Sequence, residues 1–527
     1  MTSSRRRAGT GVPARLGPMT RAFTRRGFLA SALAGAGAAA GGMLLQSCSR
    51  APVSAPRPAP VPRPLAVPPL APSTVDGGVR TFRLTAAPGT SGFLAGRDTP
   101  TWGYDAPFGG PTLRAARGER VRVHVTSRLP ERTSTHWHGM VLPAAADGGP
   151  YSPIEPGATW SPEWTIDQPA ATLWYHPHPH PHGVTGRHVH RGLAGLFVID
   201  DSADGADGGI PLPHRYGVDD VPVVVTDRVF TADGAFDEAH RNAHGLLGDT
   251  LLVNGTVAPY LVATTARIRL RLLDASPARC YRFARSDGRP LVLVGTDSGL
   301  LPAPRPVPDV LLTPGECAEV LLDLEPGRPV ILRSVPHDLG AVSGTERTIG
   351  ARDTRDVLQI RPAAVLAPAL PLPDRLPHEP GPEPAPGTRV RRFELGDDTI
   401  DGRSMDMTRI DEVVPAGAEE VWELANVHSR PHNLHVHDAR GQVLSAAGRP
   451  VPAAERCWKD TVYVPPRTTT RVLLRFGRHP DPAVPYMYHC HLLHHEDQGM
   501  MGQFVVVPPG TADVPRTLAA GVGGHHG

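Results

Sequence analysis

Residues 488–501 read Tyr-His-Cys-His-Leu-Leu-His-His-Glu-Asp-Gln-Gly-Met-Met and carry the strongest chemical signal in the chain. Cys490 stands between two histidines, with His495 five residues on and Met500 ten residues on. A thiolate, imidazole and a weak axial thioether are the ligands of blue-copper centres. The stretch therefore predicts a copper site around Cys490, with one further imidazole supplied from elsewhere in the chain.

The two histidines beside Cys490 predict a second metal site. Successive side chains of a strand face opposite sides. If His489-Cys490-His491 is a strand end, Cys490 faces one site while His489 and His491 face another behind it. The segment would then join two metal centres.

Three more His-x-His pairs can supply imidazoles to that second site. Residues two apart on a strand share a face, so each pair can present two rings to one metal cluster. A single pair is commonly a surface or packed-core feature, whereas four pairs, one of them around a cysteine, predict a cluster of eight imidazoles, enough for three coppers. The three further pairs are His136 with His138, His176 with His178, and His435 with His437, the last preceded by His432.

At these residues the chain resembles the multicopper oxidases, a family that includes laccases, bacterial cuprous oxidases and bilirubin-oxidase-like enzymes. The resemblance covers residues 80–508 and implies four coppers per chain. The type 1 copper would be held by His432, Cys490 and His495, with Met500 as the axial ligand. The type 2 copper would be held by His136 and His435. Of the two type 3 coppers, one would be held by His138, His176 and His491 and the other by His178, His437 and His489.

Two carboxylates match positions that the resemblance links to proton supply for oxygen. Asp147 lies in Ala-Asp-Gly-Gly-Pro, and Glu496 follows His495. Structural alternatives exist for both, because Asp-Gly-Gly also begins turns and Glu496 could be a solvated acid.

The second histidine motif departs from the family pattern by one additional His-Pro step. Tyr175 is followed by His176-Pro177-His178-Pro179-His180-Pro181-His182-Gly183. Counting from Tyr175 makes His176 and His178 the ligands, whereas counting back from Gly183 makes them His178 and His180. We follow the upstream count and expect the unused histidines, with His188 and His190, to be exposed or to lie behind the ligands.

Composition favours a loop-rich all-β protein, because 60 prolines and 56 glycines accompany only 5% aromatic residues. Strand-like runs separated by turns predict sandwiches, and the family resemblance implies three cupredoxin-like Greek-key β-sandwich domains. The predicted order is a signal (1–47), a proline-rich tether (48–78), domain 1 (79–204), domain 2 (215–364), a proline-rich linker (365–388), domain 3 (389–508) and a flexible tail (509–527). We expect the histidine cluster where domains 1 and 3 meet, and a monomer.

The amino terminus predicts export. Thr24-Arg25-Arg26-Gly27-Phe28-Leu29 is a twin-arginine signal followed by a weakly apolar run. Leu45-Gln46-Ser47-Cys48 resembles a bacterial lipobox, so Cys48 is a candidate lipid anchor, although cleavage by an ordinary signal peptidase stays open. Residues 1–47 hold seven arginines and no acid, so without them the formal charge of +2 becomes −5 and no nucleic-acid partner is indicated.

The other cysteines form no obvious disulfide framework. Cys280, Cys317 and Cys457 are an odd number, and each has apolar neighbours. We expect buried free thiols, with a Cys280–Cys317 bridge as the alternative.

The resemblance implies an oxidase that couples one-electron oxidation of phenolic or aromatic-amine substrates to four-electron reduction of O2 to water. Electrons would enter at the exposed edge of His495 and leave Cys490 through His489 and His491. The alternative is a cuprous-ion oxidase or copper-resistance protein, in which Cu(I) is the reductant. The chain lacks the methionine-rich run of cuprous oxidases, although Met405 and Met407 lie on either side of Asp406. A non-enzymatic relative would lack ligands, and here all twelve positions are filled.

Overall fold

A computed structural model describes residues 60–180, 183–201, 212–239, 241–340, 346–511 and 516–518. The predicted signal and Cys48 lie outside these residues. Within them, no helix is long and apolar enough to cross a membrane. Strands dominate, accompanied by two short α-helices and two 3-10 turns, so the predicted all-β class is confirmed.

The first sandwich is made of two sheets. One has the order β2-β3-β6-β8, with β4 on β3 and β9 on β6; the other has the order β5-β11-β10-β7. Alternation in β6 buries Val121, Val123 and Val125 against the opposite sheet. The elements up to this point are β1 Arg63–Pro64, β2 Ser73–Asp76, β3 Val79–Ser91, β4 Thr99–Tyr104, β5 Leu113–Ala116, β6 Arg120–Ser127, β7 His136–His138, a 3-10 turn Ala144–Ala146, β8 Thr159–Trp160, β9 Glu163–Thr165, β10 Ala171–His176, α1 Thr185–Arg191 and β11 Gly195–Asp200.

The middle sandwich has sheets of order β1-β15-β23-β22-β17-β20 and β14-β13-β12-β16-β21-β18-β19. Its core is rich in valine and leucine, such as Val223, Leu270 and Val320, which suits strands buried on both faces. Its strands are β12 Asp220–Arg228, β13 Thr250–Val253, β14 Thr256–Val257, β15 Pro259–Thr265, β16 Arg267–Asp274, β17 Tyr281–Arg285, β18 Leu291–Thr296, β19 Gly299–Val307, β20 Asp309–Leu312, β21 Cys317–Asp323, β22 Val330–Ser334 and β23 Arg355–Ala367.

The last sandwich pairs a sheet of order β24-β26-β32-β28-β29, with β30 on β28, and a sheet of order β25-β34-β33-β27-β31. Its core includes Cys490 and Met500, so the predicted copper ligands are part of the apolar packing. Its elements are β24 Arg389–Leu395, β25 Glu412–Pro415, β26 Glu419–Asn426, β27 His432–Val436, β28 Ala439–Ala446, β29 Arg449–Pro450, a 3-10 turn Ala453–Glu455, β30 Trp458–Lys459, β31 Thr461–Val464, β32 Thr469–Phe476, β33 Asp481–His489, α2 Leu493–Asp497 and β34 Met501–Val507.

The tether prediction is wrong for its described C-terminal part. Strand β1 pairs in parallel with β15 of the middle sandwich, and β2 pairs with β3 of the first. Leu65 between them is buried in the middle core. Proline lacks a backbone N–H donor but is tolerated at sheet edges. Residues 63–76 therefore form a strap that packs across the middle and first sandwiches.

The described part of the predicted flexible tail also packs. Arg516 donates through its guanidinium to the Asp411 carbonyl at 2.7 Å, and the Leu518 N–H donates to the Thr408 carbonyl at 2.8 Å. The exact domain limits stay predictions.

Candidate metal centre

The segment after β33 sends its side chains in two directions. The Cys490 sulfur lies 3.6 Å from Nδ1 of both His432 and His495. Nε2 of His489 instead lies 3.3 Å from Nε2 of His437. Sulfur and rings therefore belong to two different clusters, although the regular strand ends at His489.

The sulfur cluster is closed to solvent. Cys490, His432, His495 and Met500 are all fully buried. Burial raises the pKa of the Cys490 thiol to about 12, and burial, His428 and Arg430 lower that of His432 to about 3. The rings are therefore neutral donors, and a bound cation would be needed to hold the sulfur as a thiolate.

Burial of His495 corrects one prediction. We expected an exposed edge for electron entry, but the side chain has no accessible surface. Its Nε2 lies 3.9 Å from Oδ1 of Asp398, which is partly exposed. Asp398, not His495, is the group that an external molecule can reach.

The eight predicted ligand histidines other than His432 and His495 form one buried cluster between the first and last sandwiches. Strands β7 and β10 pair His136 with His176, and β27 pairs His435 with His489 of β33. The shortest ring nitrogen separations are His136–His435 at 3.4 Å, His138–His176 at 3.3 Å, His176–His491 at 3.4 Å and His437–His489 at 3.3 Å.

These separations agree with the implied assignment only in part, because another group joins His136 with His138 and His176. Ligand nitrogens of His178, His437 and His489 all lie within 4.8 Å of one another. His138 and His491 approach the same Nε2 of His176. Ligation itself stays a prediction.

The additional His-Pro step falls outside this cluster. His176 and His178 are buried within it, whereas His180 is partly exposed and belongs to none of the groups found among the described residues. We expected His188 and His190 to be exposed or to lie behind the ligands; both are buried on α1 and belong to none of the groups found among the described residues.

Glu496 holds two rings of the cluster from behind. One carboxylate oxygen lies 3.2 Å from Nδ1 of His178 and the other 3.2 Å from Nδ1 of His489. Burial alone would raise the pKa of Glu496, but the two histidines hold it well below its usual range. The solvated-acid alternative is wrong, since the side chain is buried.

Asp147 plays a similar part on the opposite side. Its Oδ2 lies 2.8 Å from Nδ1 of His437, and its carbonyl 3.0 Å from Nδ1 of His136. Burial opposes ionisation, but His437 and His136 lower the pKa of the carboxyl below its usual range. Asp147 also caps the C-terminal end of the 3-10 turn Ala144–Ala146.

Asp460 was missed by the sequence reasoning. It is buried, with Oδ1 3.0 Å from Nε2 of His138 and its carbonyl 2.9 Å from Nδ1 of His435. Burial and Asp297 raise the pKa of this carboxyl. In sequence it follows Lys459 in an ordinary strand-like run, and only β31 pairing with β27 brings it to the histidines.

Asn433 was also missed. Its Oδ1 accepts the His491 N–H at 2.7 Å, while its Nδ2 donates to Thr313 Oγ1 and the Pro314 carbonyl, both at 2.9 Å. Next in that loop, Gly315 (φ 91°) lies so near the His491 ring that a Cβ would be 2.9 Å from it. The middle sandwich therefore contributes support, although it supplies no member of the clusters found among the described residues.

The donor set suits copper. Buried imidazoles with a thiolate and a thioether are the soft and borderline ligands that copper prefers. Carboxylates or carbonyls behind the rings orient them, as metal-binding histidines require. Nε2 of His178 has no hydrogen-bond partner in the described structure, which leaves its lone pair for an ion.

Comparison with known proteins points the same way. Two family models described as multicopper oxidase match residues 86–204 and 380–510. The chain is 35% identical over 423 residues to the cell division protein FtsP of Dickeya dadantii (78% of this chain, 86% of that one). It is 31% identical over 448 residues to the multicopper oxidase mco of Staphylococcus haemolyticus (83% and 91%). A laccase-like multicopper oxidase, CueO, from Ochrobactrum sp. superposes with a TM-score of 0.75 at 35% identity (84% and 100%).

Proposed function

The chain belongs to the multicopper oxidase family and is an oxidoreductase with cupredoxin-like sandwiches, and from this premise we propose that it oxidises phenols or aromatic amines and reduces O2 to water. The observation that carries the proposal is the back-to-back arrangement of the Cys490 sulfur and the rings of His489 and His491. Four bound coppers would supply the redox chemistry, accepting electrons singly and delivering four to oxygen. The twelve predicted ligands would hold them.

The residues of the chain provide orientation and exclude water. His432 and His495 hold the sulfur site inside the core of the last sandwich, where Cys490 has no solvent contact. The peptide of Cys490 joins this site directly to His489 and His491, so the covalent path between the clusters is short. Water exclusion limits escape of partly reduced oxygen species.

Asp147 and Glu496 are proposed to pass protons to the oxygen site. Each carboxylate lies against imidazole Nδ1 atoms of the cluster, at 2.8 Å for Asp147 and 3.2 Å for Glu496. A carboxylate at hydrogen-bond distance can accept and return a proton without large motion. Asp460 has the same kind of contact with His138 and joins them as a candidate.

Asp398 supports phenols and aromatic amines as substrates. Its Oδ1 is buried 3.9 Å from His495 Nε2, while the side chain as a whole is 29% exposed. A carboxylate there can accept a hydrogen bond from a phenol O–H or an amine N–H and take the proton lost on oxidation. The similar Ochrobactrum enzyme is described as acting on lignin model compounds, which also favours this class.

Cuprous ion is the second candidate reductant. Met405 lies on the same loop as Asp398, and its N–H donates to the Gly499 carbonyl at 2.9 Å, next to Met500. A thioether is the kind of soft ligand that suits Cu(I). Oxygen uptake by copper-loaded protein with a phenol panel and with Cu(I) ranks the two by kcat/KM.

Two variants test the scheme. Cys490→Ser is expected to abolish the blue absorption and turnover while the other three coppers stay bound. His435→Ala is expected to keep the blue absorption and lose oxygen reduction. Retained oxygen consumption in either variant contradicts the proposal.

The FtsP relatives raise a non-enzymatic alternative, a structural role in cell division. We propose copper binding instead, because all twelve predicted ligand positions carry a metal-binding residue type and ten of them fall in the described clusters. Four coppers per chain by metal analysis is the expected result. A chain purified from copper-supplemented cells with no copper would favour the structural role.

Export by the twin-arginine route, anchoring through Cys48 and a monomeric state stay proposals. Replacement of Arg25 and Arg26 by lysine is expected to block export, and Cys48→Ala to release the protein from membranes.

A further inference from the structure

A cavity of 440 Å³ lies between the first and middle sandwiches, beneath the strap segment 66–72. Apolar side chains such as Val67, Phe108, Leu196 and Ala275 line most of it. A cavity of ~150 Å³ already takes one benzene molecule, and typical ligand pockets measure roughly 300–1,000 Å³. The space is therefore large enough for a small organic molecule.

The roof of the cavity is held in place by backbone hydrogen bonds. The Ala71 N–H donates to the Thr112 carbonyl at 2.9 Å, and the Thr112 N–H donates to the Pro69 carbonyl at 2.8 Å. The Tyr216 hydroxyl donates to the Pro68 carbonyl at 2.8 Å. Arg83 and Asp105, both exposed, also line the space, so it reaches solvent. The cavity is preformed and accessible.

Arg228 brings a positive charge to this apolar space. It lines the cavity although only 1% of the residue is exposed. A guanidinium has five donors, and those of Arg228 reach three acceptors: Thr226 Oγ1, the Asp227 carbonyl at 2.7 Å and the Val189 carbonyl at 3.3 Å. All three acceptors are uncharged, and Nε has no partner in the described structure.

No carboxylate forms a salt bridge with Arg228 within the described residues, and Asp227 compensates its charge only from a distance. Its neighbour Asp227 directs Oδ2 to Nε of Arg279 at 2.7 Å. The rings of Phe108 and Phe236 lie 5.6 and 5.2 Å from the Arg228 guanidinium carbon and stabilise the cation only partly. Arginine binds carboxylates best, through paired charge-assisted hydrogen bonds.

We propose that this cavity binds a small organic carboxylate whose anionic group pairs with Arg228 and whose apolar body packs along Val67, Phe108 and Leu196. The site is separate from the oxidase site, since no predicted copper ligand lines it. The inference therefore does not depend on the proposed function. Two residues that line the cavity, Leu196 and Ala275, also pack in the hydrophobic cluster of Trp174. The Trp174 ring in turn stacks on the ring of His176, with 4.1 Å between the ring centroids.

Calorimetric titration of the copper-loaded full chain tests this site. The probes are 6-phenylhexanoate and its neutral counterpart 6-phenylhexan-1-ol. We expect the carboxylate to bind at least about tenfold more tightly than the alcohol, because hydrogen bonds to charged groups are the stronger ones. Equal binding of both probes, or no binding of the carboxylate, overturns the proposal.

Two variants assign the site. Arg228→Met keeps the apolar stem and is expected to weaken carboxylate binding at least about tenfold while leaving alcohol binding unchanged. Val224→Trp fills the cavity from a half-buried lining position and is expected to abolish binding of both probes. Arg328→Met, at an exposed arginine outside the lining, is the control and is expected to bind like the parent. If Arg228→Met does not fold, Val224→Trp decides, and undiminished carboxylate binding in it contradicts the site.

Discussion

Glu496 joins two histidines that come from different sandwiches. His178 belongs to the first and His489 to the last, and each Nδ1 lies 3.2 Å from one oxygen of the same buried carboxylate. A single negative charge therefore fixes ring orientation on both sides of the contact. Asp147 does the same for His437 and, through its carbonyl, for His136.

Glu496→Gln is predicted to lower oxygen consumption about 10- to 100-fold, the usual effect of removing the group behind metal-binding histidines. The blue absorption is expected to survive, because the Glu496 carboxylate pairs with His178 and His489 and, among the described contacts, not with Cys490, His432 or His495. Steady-state oxygen uptake and the visible spectrum measure the two effects.

Glu131→Gln is the matched control for that variant. Glu131 lies 2.7 Å from Nε2 of His188, a carboxylate–histidine pair outside the cluster. It is expected to leave oxygen uptake unchanged. Equal losses in both variants would mean that Glu496 acts on stability alone.

At the scale of the element, β27 serves two clusters at once. His432 at its start reaches the Cys490 sulfur, and His435 three residues later reaches His136. Asn433 between them faces the loop at Thr313 and the His491 N–H. One strand of five residues therefore sets the spacing between the clusters, and Asn433 ties it to the middle sandwich.

Asn433→Ala is predicted to destabilise the protein by about 2 kcal/mol, since the buried His491 N–H loses its acceptor. It is also predicted to shift the blue absorption and the reduction potential, because Asn433 Oδ1 lies 3.7 Å from the Cys490 sulfur. Thermal unfolding and a redox titration with optical detection measure both.

Asn426→Ala removes three hydrogen bonds in the same sandwich but no contact with the Cys490 sulfur. Asn426 donates to the carbonyls of Arg430 and Val464 and accepts from the His428 N–H. It is expected to lower stability without changing the spectrum or the potential. A spectral shift of equal size in both variants would argue against a specific role for Asn433.

At the scale of the whole molecule, a buried charge cluster joins the first and middle sandwiches. Glu319 of β21 accepts from Thr172 Oγ1 of β10 at 2.5 Å and pairs with Arg269 and Arg271. Arg271 also pairs with Asp220 at 2.7 Å. Burial alone would raise the pKa of Glu319, but the two arginines and Thr172 lower it to about 2.

Glu319→Gln is predicted to destabilise the copper-loaded protein by about 3 kcal/mol at pH 7, because it leaves the buried Arg269 without a carboxylate and Arg271 with Asp220 alone. Since the folded pKa of about 2 lies below the ordinary value of 4.5, the carboxylate stabilises the fold above pH 4.5 and loses this effect as the pH falls toward 2. The stability difference between parent and variant should therefore shrink below pH 4.5. Denaturant unfolding at pH 7 and pH 3.5 measures it.

Glu325→Gln provides the surface comparison. Glu325 is 44% exposed and pairs with the half-exposed Arg289. Its loss is expected to cost less than about 1 kcal/mol at either pH. A similar cost for both variants would show that the buried joint adds no special stability.

Local patterns were sufficient for much of the site. Alternation along a strand predicted that Cys490 and its flanking histidines would face different clusters, and the separations of Cys490 from His432 and of His489 from His437 agree with it. The all-β class followed from strand-like runs and turn residues, and it is confirmed. Local spacing could not predict Asp460 or Asn433, which reach the histidines only through strand pairing and loop packing.

The sequence by itself determined the kinds of ligand and which of them share a face of a strand, because the two-residue repeat of a strand is a local property. Tertiary structure alone decided what surrounds them: the burial of His495, the exclusion of His180, the carboxylates behind the rings and the strap packed over Arg228. These depend on contacts between segments hundreds of residues apart, such as His136 with His435. Burial and electrostatic environment follow from that packing and are not encoded in any local repeat.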